Sequence, residues 1–153
     1  MYLSLKTHDF DLKHIILHEP VKNILKVGCE FIKIIYSNDL FVMNGLYISI
    51  ELRDVYIENK NNYYKIRFVY DKNEALLKIL SKIEEDLLGL LPNNLIKMKS
   101  LRGDKVRSLK VLNGDKNLKL GHNDILKCSL RIFGIWKDNY KCGLNYQYLY
   151  TTI

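Results

Sequence analysis

Alternating hydrophobic and polar positions predict several β-strands in this chain. Residues 31–36, apolar except for one lysine, are typical of a short strand, and residues 46–57 place Leu46, Ile48, Ile50 and Leu52 on one face by alternation. Residues 63–70 alternate in the same way, with aromatic and basic side chains on the second face. Period-two alternation is typical of a strand with one buried face. We therefore expect a hairpin from the last two segments, with an apolar inner face and an aromatic and basic outer face.

One helix is predicted after these strands. Leucine and isoleucine recur at helical spacing from Leu76 to Leu88, which indicates an amphipathic helix with one buried stripe. Asp71 or Asn73 could cap its first turn, because their short side chains accept hydrogen bonds from free backbone amides. Gly89 is expected to end it.

Strand patterns return beyond the helix. Residues 106–112 and 118–120 flank an Asn-Gly-Asp sequence, which is typical of a hairpin turn. Residues 125–136 and 142–150 alternate again, and the second of these places Leu144, Tyr146, Tyr148 and Tyr150 on one face. The first 30 residues show no readable pattern.

The order of strands, one helix and further strands predicts an α+β, mainly β fold. A helix placed after three strands and before the closing ones is the arrangement of an OB-fold, a partly open Greek-key barrel. We therefore expect an OB-like barrel with its main helix between the third and fourth strands, although other α+β folds have the same element order. Residues 1–153 are predicted to form a single domain, with 31–150 as the OB-like core and 1–30 as a poorly readable N-terminal segment.

Positive charge is concentrated in one part of the sequence. The chain has 24 Lys and Arg against 17 Asp and Glu, a formal net charge of +7. Residues 1–96 carry a net charge of −1, whereas residues 97–119, the basic segment, carry +6. Clustering of this kind is typical of a surface that binds an anionic partner. A solvated basic loop with no partner would have the same pattern.

Motifs for catalysis are missing. The chain contains no phosphate-cradling glycine loop, HExxH sequence or GxSxG elbow. His14 and His18 could share a helix face, but no further ligand motif accompanies them, and Glu84-Glu85-Asp86 is interpreted as solvated charge. Three cysteines without CxxC spacing favour core positions over a disulfide framework or a zinc site. We expect a non-enzymatic, intracellular protein without cofactor, metal or membrane span.

A nucleic-acid-binding function agrees better with the residues. Proteins that hold single strands combine a basic groove for phosphates with aromatic faces on which bases stack. Several aromatic residues lie beside basic ones in the predicted strands, although each could equally be a core or rim residue. The predicted contact residues are Lys65, Arg67, Lys97, Lys99, Arg102, Lys105, Arg107, Lys110, Arg131, Phe133, Trp136, Tyr146 and Tyr148.

Two passages resemble a known family. The segment Tyr63-Tyr-Lys-Ile-Arg-Phe-Val-Tyr leads into Leu76-Leu-Lys-Ile-Leu and then Leu91-Pro-Asn-Asn-Leu. This order resembles the strand, helix and Pro-Asn passage of poxvirus-type single-stranded DNA-binding proteins. The ending, with Arg131-Ile-Phe-Gly-Ile-Trp followed by Cys142-Gly-Leu-Asn-Tyr, is similar to the closing hairpin of such proteins in large DNA viruses and phages.

The resemblance covers about half of the chain and implies an OB-fold protein that coats single strands. By the same resemblance, Arg131, Trp136 and Tyr146 would contact the strand. We expect sequence-independent binding of single-stranded DNA, with RNA as an alternative ligand, in replication, recombination or repair. A homo-oligomer or cooperative assembly is expected, in the host cytoplasm or nucleus if the protein is viral. The alternative is a viral structural, assembly or interaction subunit whose basic segment docks an acidic partner.

Overall fold

Strands account for most of the described chain, and one long helix interrupts them. The computed structural model describes residues 4–101, 108–113 and 118–150. Helix α1 spans Tyr70–Leu88. Two short 3-10 turns lie at Thr7–Asp9 and Leu12–His14. The strands are β1 (Leu5–Lys6), β2 (Ile15–Leu17), β3 (Val21–Lys22), β4 (Glu30–Ser37), β5 (Val42–Met43), β6 (Leu46–Asn59), β7 (Tyr63–Phe68), β8 (Ile96–Met98), β9 (Ser108–Asn113), β10 (Gly121–Lys137) and β11 (Lys141–Tyr150). The prediction of an α+β, mainly β fold is therefore confirmed.

Five of the strands pair in a circuit that returns to its first member. Strand β6 pairs with β7, and β7 pairs with β9, both antiparallel. Strand β9 runs parallel to β11, which is antiparallel to β10, and β10 pairs back onto β6. Strand β4 lies outside this circuit against the far end of β10, where β2, β3 and β5 extend it. The short strands β1 and β8 add to β6 and β11.

The core lies on the inner face of these strands and is covered by the leucine stripe of α1. Leu46, Ile48, Ile50 and Leu52 are all buried, as their alternation predicts. Asp54 then adopts a positive φ of 53°, which Asp tolerates better than most residues. Beyond it the buried positions of β6 are odd-numbered, Val55 and Ile57, so this backbone feature switches which side chains face inward.

The expected hairpin between residues 106–112 and 118–120 is wrong. Residues 118–120 form no strand, and β9 pairs instead with β7 and β11. A turn sequence indicates where the chain reverses, but it does not determine which strands become neighbours. Part of that turn, residues 114–117, lies outside the described residues.

The expected helix cap is also wrong. Helix α1 begins at Tyr70, and its N-cap residue Val69 makes no side-chain cap bond. Buried Asn73 instead accepts a hydrogen bond from the Arg53 amide at 2.7 Å and donates to the Arg53 carbonyl at 2.9 Å. The buried Asn73 amide thereby gains the hydrogen-bond partners that a buried polar group needs. It also satisfies the backbone of β6 next to Asp54, the residue with the positive φ. The predicted end at Gly89 is confirmed, since Gly89 is the C-cap residue.

Glu84 is fully buried, which overturns its interpretation as solvated charge. Its carboxylate accepts hydrogen bonds from the backbone amides of Ser100 at 3.0 Å and Leu101 at 2.9 Å. The Ser100 hydroxyl lies 3.3 Å away as a third donor. Several donors compensate a buried carboxylate for the water it has lost. Glu84 thereby attaches the segment that follows β8 to the helix.

Candidate nucleic-acid interface

Two glycines determine how aromatic rings lie on the outer side of β10 and β11. A register shift between Ile132 and Gly134 turns Trp136 outward, while Ile132 and Ile135 are fully buried. Gly143 of β11 lies directly opposite Trp136 of β10, and a Cβ atom at Gly143 would lie 2.7 Å from the Trp136 ring. The ring of Trp136 therefore lies against the backbone of the neighbouring strand, in space that only glycine leaves open.

The second glycine, Gly134, accommodates Phe31 of β4 in the same way. A Cβ atom at Gly134 would collide with the Phe31 ring and would lie 2.6 Å from the Ile32 carbonyl oxygen. Phe31 is opposite Trp136 in the register and contacts Phe133, with 6.3 Å between ring centroids. Three half-buried rings thus share one outer surface.

A guanidinium group and an ammonium group lie over rings on this surface. The Arg131 guanidinium carbon is 5.3 Å from the Tyr47 ring centroid and 5.5 Å from that of Phe133. Lys26 places its Nζ 5.9 Å from the Trp136 ring. Cations at this distance are attracted by the ring faces. We call the set Phe31, Tyr47, Arg131, Phe133 and Trp136 the aromatic face.

The Arg131 Nε atom is buried and has no hydrogen-bond partner among the described residues. Buried polar atoms without a partner are uncommon in folded proteins. Contacts with the Tyr47 and Phe133 rings therefore hold the Arg131 guanidinium on this face, at the cost of leaving its buried Nε without an acceptor in the described part of the chain.

A second outer surface, on β6, β7 and β9, carries excess positive charge. Lys65 lies directly opposite Lys110 in the register, and like charges in that position repel each other. Among the described residues beside this pair, the carboxylate of Glu58 lies opposite Lys65 in the register, is paired with Arg67 and is 3.4 Å from Lys60 in the turn between β6 and β7. We call Lys60, Lys65, Arg67 and Lys110, together with Glu58, the basic face.

Aromatic rings also accompany the basic face. Lys110 Nζ lies 4.5 Å from the Tyr63 ring centroid, and the Arg67 guanidinium lies 5.1 Å from that of Tyr56. Cations and rings therefore alternate here as they do on the aromatic face. Proteins that hold single strands combine cations for phosphates with rings for bases in this way.

The structure brings together only part of the predicted site. Lys65, Arg67 and Lys110 belong to the basic face, and Arg131, Phe133 and Trp136 to the aromatic face. Lys97 instead donates from Nζ to the Pro92 carbonyl at 2.7 Å, and Lys99 is exposed beyond β8. The remaining predicted cations, Arg102, Lys105 and Arg107, lie outside the described residues.

The predicted tyrosines of β11 face inward. Tyr148 is only 6% exposed, and burial raises the pKa of its hydroxyl well above the ordinary value of 10.0. Tyr146 is half-buried against the core and meets Tyr148 edge to face at 5.8 Å. The alternation of β11 is as predicted, but its aromatic side is the core side. Tyr148 thus belongs to the core and not to a stacking surface, which corrects its expected role.

Phe31, Tyr47, Lys26 and Tyr56 were missed by the sequence prediction. Phe31 and Tyr47 occupy the outer positions of predicted strands, so alternation alone could have identified them as outward-facing. Their approach to Arg131 and Trp136 depends on cross-strand register, which the sequence pattern does not contain.

An ion-pair cluster lies beside the basic face, at the start of β10. Asp54 accepts from Lys72 Nζ at 2.9 Å, and its other carboxylate oxygen lies 2.6 Å from His122 Nε2. These hydrogen bonds, first Lys72 and then His122, lower the pKa of Asp54. Among the residues that the structure describes, no three His, Cys, Asp or Glu side chains gather where they could hold one metal ion.

No helix within the described ranges has the length and apolar character needed to span a membrane. The chain was also compared with protein-family models, with curated proteins and with solved structures, and none of the three comparisons found a match.

Proposed function

We propose that this protein binds single-stranded nucleic acid without sequence preference, with single-stranded DNA as its expected ligand. The observation that carries the proposal is the aromatic face, where Phe31, Phe133 and Trp136 lie beside Arg131. Bases stack on such rings whatever their identity, and each stacked base contributes about 1–3 kcal/mol. A protein that coats single strands in replication, recombination or repair requires this sequence-tolerant contact.

The strand circuit supports an OB-like barrel as the scaffold. Counted from β6, its five members pair in the order first, second, third, fifth, fourth and back to the first, with the third and fifth parallel. OB-folds bind oligonucleotides on their second and third strands. In this circuit those strands are β7 and β9, which carry much of the basic face.

The position of the helix differs from the OB arrangement expected from the sequence. Three longer strands, β4, β6 and β7, precede α1, but β4 lies outside the circuit. Within the circuit the helix therefore follows the second strand and not the third. We infer that β4 is an addition to the barrel, which contributes Phe31 to the aromatic face.

The basic face supports binding of a polyanion. Its four cations outnumber its one carboxylate, and Lys65, which lies between Glu58 and Lys110 in the register, is left with a like charge on one side that a bound phosphate would offset. Each phosphate neutralised on a single strand contributes about −0.7 to the slope of log affinity against log salt concentration. The slope of log affinity against log salt concentration therefore measures how many phosphates the aromatic and basic faces contact.

Intrinsic fluorescence tests the proposal directly, because Trp136 is the only tryptophan of the chain. We expect oligo-dT to quench its emission, with an affinity that falls as salt rises. Replacing Lys65 and Lys110 together with Gln should reduce the magnitude of the salt slope by about 1.4. The matched control replaces Lys78 and Lys82, two exposed lysines on α1, and should leave the slope unchanged.

The absence of both binding and quenching at low salt would overturn the proposal. The alternative, docking of an acidic protein by the basic segment, predicts a complex that survives nuclease treatment. Under that alternative oligo-dT should not quench Trp136, because an acidic protein docks the basic segment without bases stacking on the aromatic face.

A further inference from the structure

Three aliphatic side chains between β3 and β4 are almost fully exposed. Ile24, Leu25 and Val27 have exposed fractions of 95%, 96% and 100%. Single exposed aliphatic residues are common, but three within four positions form an apolar projection that water solvates poorly. We call these three residues the apolar tip.

Hydrogen bonds hold the apolar tip in one conformation. The Asn23 amide donates to the Cys29 carbonyl at 2.8 Å, and the Cys29 amide donates to the Lys26 carbonyl at 3.2 Å. The Asn23 side chain accepts from the Leu25 amide at 3.0 Å. Buried Cys29 anchors the end of the turn. The aliphatic side chains are thus presented by an ordered turn.

The apolar tip lies next to the aromatic face. Val21, which leads into the turn, is opposite Phe31 in the register, and Phe31 is opposite Trp136. Within the turn itself, Lys26 places its ammonium group over the Trp136 ring. The exposed aliphatic groups therefore extend the same outer surface on which the rings lie.

Charge around the apolar tip indicates what covers it. Lys22 precedes the aliphatic residues and Lys26 lies among them; Glu30, just beyond the turn, is opposite Lys22 in the register, so Lys26 is the cation nearest the tip without an opposed carboxylate. Hydrogen bonds from the amides of Tyr140 and Lys141 lower the pKa of Asp138, and the nearby charge of Lys26 lowers it further. An occupant must present apolar groups to the tip and negative charge to the lysines at the same time.

We propose that the apolar tip packs against unstacked bases of the strand bound on the aromatic face, with Lys22 and Lys26 contacting its phosphates. This inference rests on the proposed function. A single strand offers base faces and phosphates along the same length, and the turn offers aliphatic side chains with a lysine before them and another among them. In a duplex the base faces are already covered by stacking on one another, so the apolar tip favours single strands over duplex.

The test replaces Ile24 and Leu25 with Ser and measures affinity for oligo-dT of about 30 nucleotides. Both side chains are solvent-exposed, so the melting temperature should stay unchanged. We expect about tenfold weaker binding with an unchanged salt slope, because no charge is removed. Affinity for a duplex of the same length should not change. The matched control is Leu40→Ser, an 88% exposed aliphatic residue at the opposite end of β4, and it should have no effect.

A different variant checks the phosphate contacts. Lys26→Gln should reduce the magnitude of the salt slope by about 0.7, the contribution of one phosphate. An unchanged slope would remove Lys26 from the proposed contact.

Equal affinity of the wild type and the Ile24→Ser/Leu25→Ser variant for oligo-dT would overturn the inference and leave the proposed function intact. An equal loss in Leu40→Ser would also overturn it, since the effect would then be general. If the variant loses only binding to phosphatidylserine vesicles, or only self-association, the apolar tip serves a membrane or a second copy instead. Failure of the wild type to bind oligo-dT would overturn the proposed function and this inference together.

Discussion

The contact between Trp136 and Gly143 predicts that Gly143→Ala destabilises the protein when the indole ring is present and does not when it is absent. Gly143→Ala places a Cβ atom 2.7–2.8 Å from three atoms of the indole, well inside ordinary contact distance. Overpacking of this kind typically destabilises a protein by about 1–3 kcal/mol. Alanine also restricts the unfolded chain and favours a strand interior by about 0.5–1 kcal/mol. We therefore expect a net loss of about 1–2 kcal/mol in the free energy of unfolding.

A double-mutant cycle isolates the contribution of the ring. In a Trp136→Ala background the collision is absent, so Gly143→Ala should become neutral or stabilising by about 0.5 kcal/mol. Urea unfolding followed by circular dichroism measures all four proteins, since the variants without Trp136 lose their fluorescence probe. Gly89→Ala is the control, because Gly89 has an ordinary helical φ of −65° and touches no ring.

The same substitution should be visible in fluorescence. Trp136 is half-buried, so the ring can relieve the collision by swinging toward water, and its emission should shift to longer wavelength. Affinity for oligo-dT should fall in the same variant if bases stack on the Trp136 ring in its position against Gly143. A destabilisation by Gly143→Ala of equal size in both backgrounds would refute the reasoning, because the effect would then come from the backbone and not from the indole.

Three further predictions concern groups elsewhere in the fold. Glu84→Gln should lower the free energy of unfolding by about 1–3 kcal/mol in urea titrations, because the amide replaces one of the two oxygens that accept backbone hydrogen bonds. The pKa of Asp54 lies below its ordinary value of 3.8, so its ion pairs stabilise the fold above that pH and lose their effect as pH falls further. Acid unfolding of Asp54→Asn should consequently depend less on pH in that range. Burial raises the pKa of the Cys128 thiol to about 12, so native Cys128 should react with a thiol reagent only after unfolding, as mass spectrometry of the labelled protein would detect.

Local alternation predicted the long elements well, because burial of one face is a local property of the sequence. The expected strand at 46–57 corresponds to β6 (Leu46–Asn59), and the expected strand at 142–150 corresponds to β11 (Lys141–Tyr150). The helix was predicted from its leucine stripe and is observed at Tyr70–Leu88. Short elements of two or three residues in the first 30 positions are too brief to produce a periodic pattern.

Strand neighbours and polar burial could not be predicted in this way. Alternation shows that β9 has an apolar face, but not that it lies between β7 and β11. Glu84 resembles an exposed helix residue in sequence, since its partners Ser100 and Leu101 are distant along the chain. Tyr146 and Tyr148 were placed correctly on one side of β11, yet alternation does not state which side is the core when both sides carry polar or aromatic atoms.

The basic segment shows why charge along a sequence differs from charge on a surface. Within it, Lys97 donates to backbone carbonyls, whereas Lys110 meets Lys65 across two paired strands. Lys65 comes from a part of the chain whose net charge is slightly negative. The basic face is therefore created by strand pairing, and the run of lysines in the sequence predicted only one of its four cations.

The two faces contain local arrangements that oppose stability. Glycines at 134 and 143 are unfavourable inside strands by about 0.5–1 kcal/mol each, and the opposed pair Lys65 and Lys110 is repulsive. Arg131 keeps a buried Nε atom without a partner in the described part of the chain. Sequences that fold well are consistent at each level, and departures concentrate where a surface serves a ligand. Here the departures coincide with surfaces that carry rings and cations, and under the proposed function an anionic strand with stacked bases would relieve the repulsion and cover the half-buried rings.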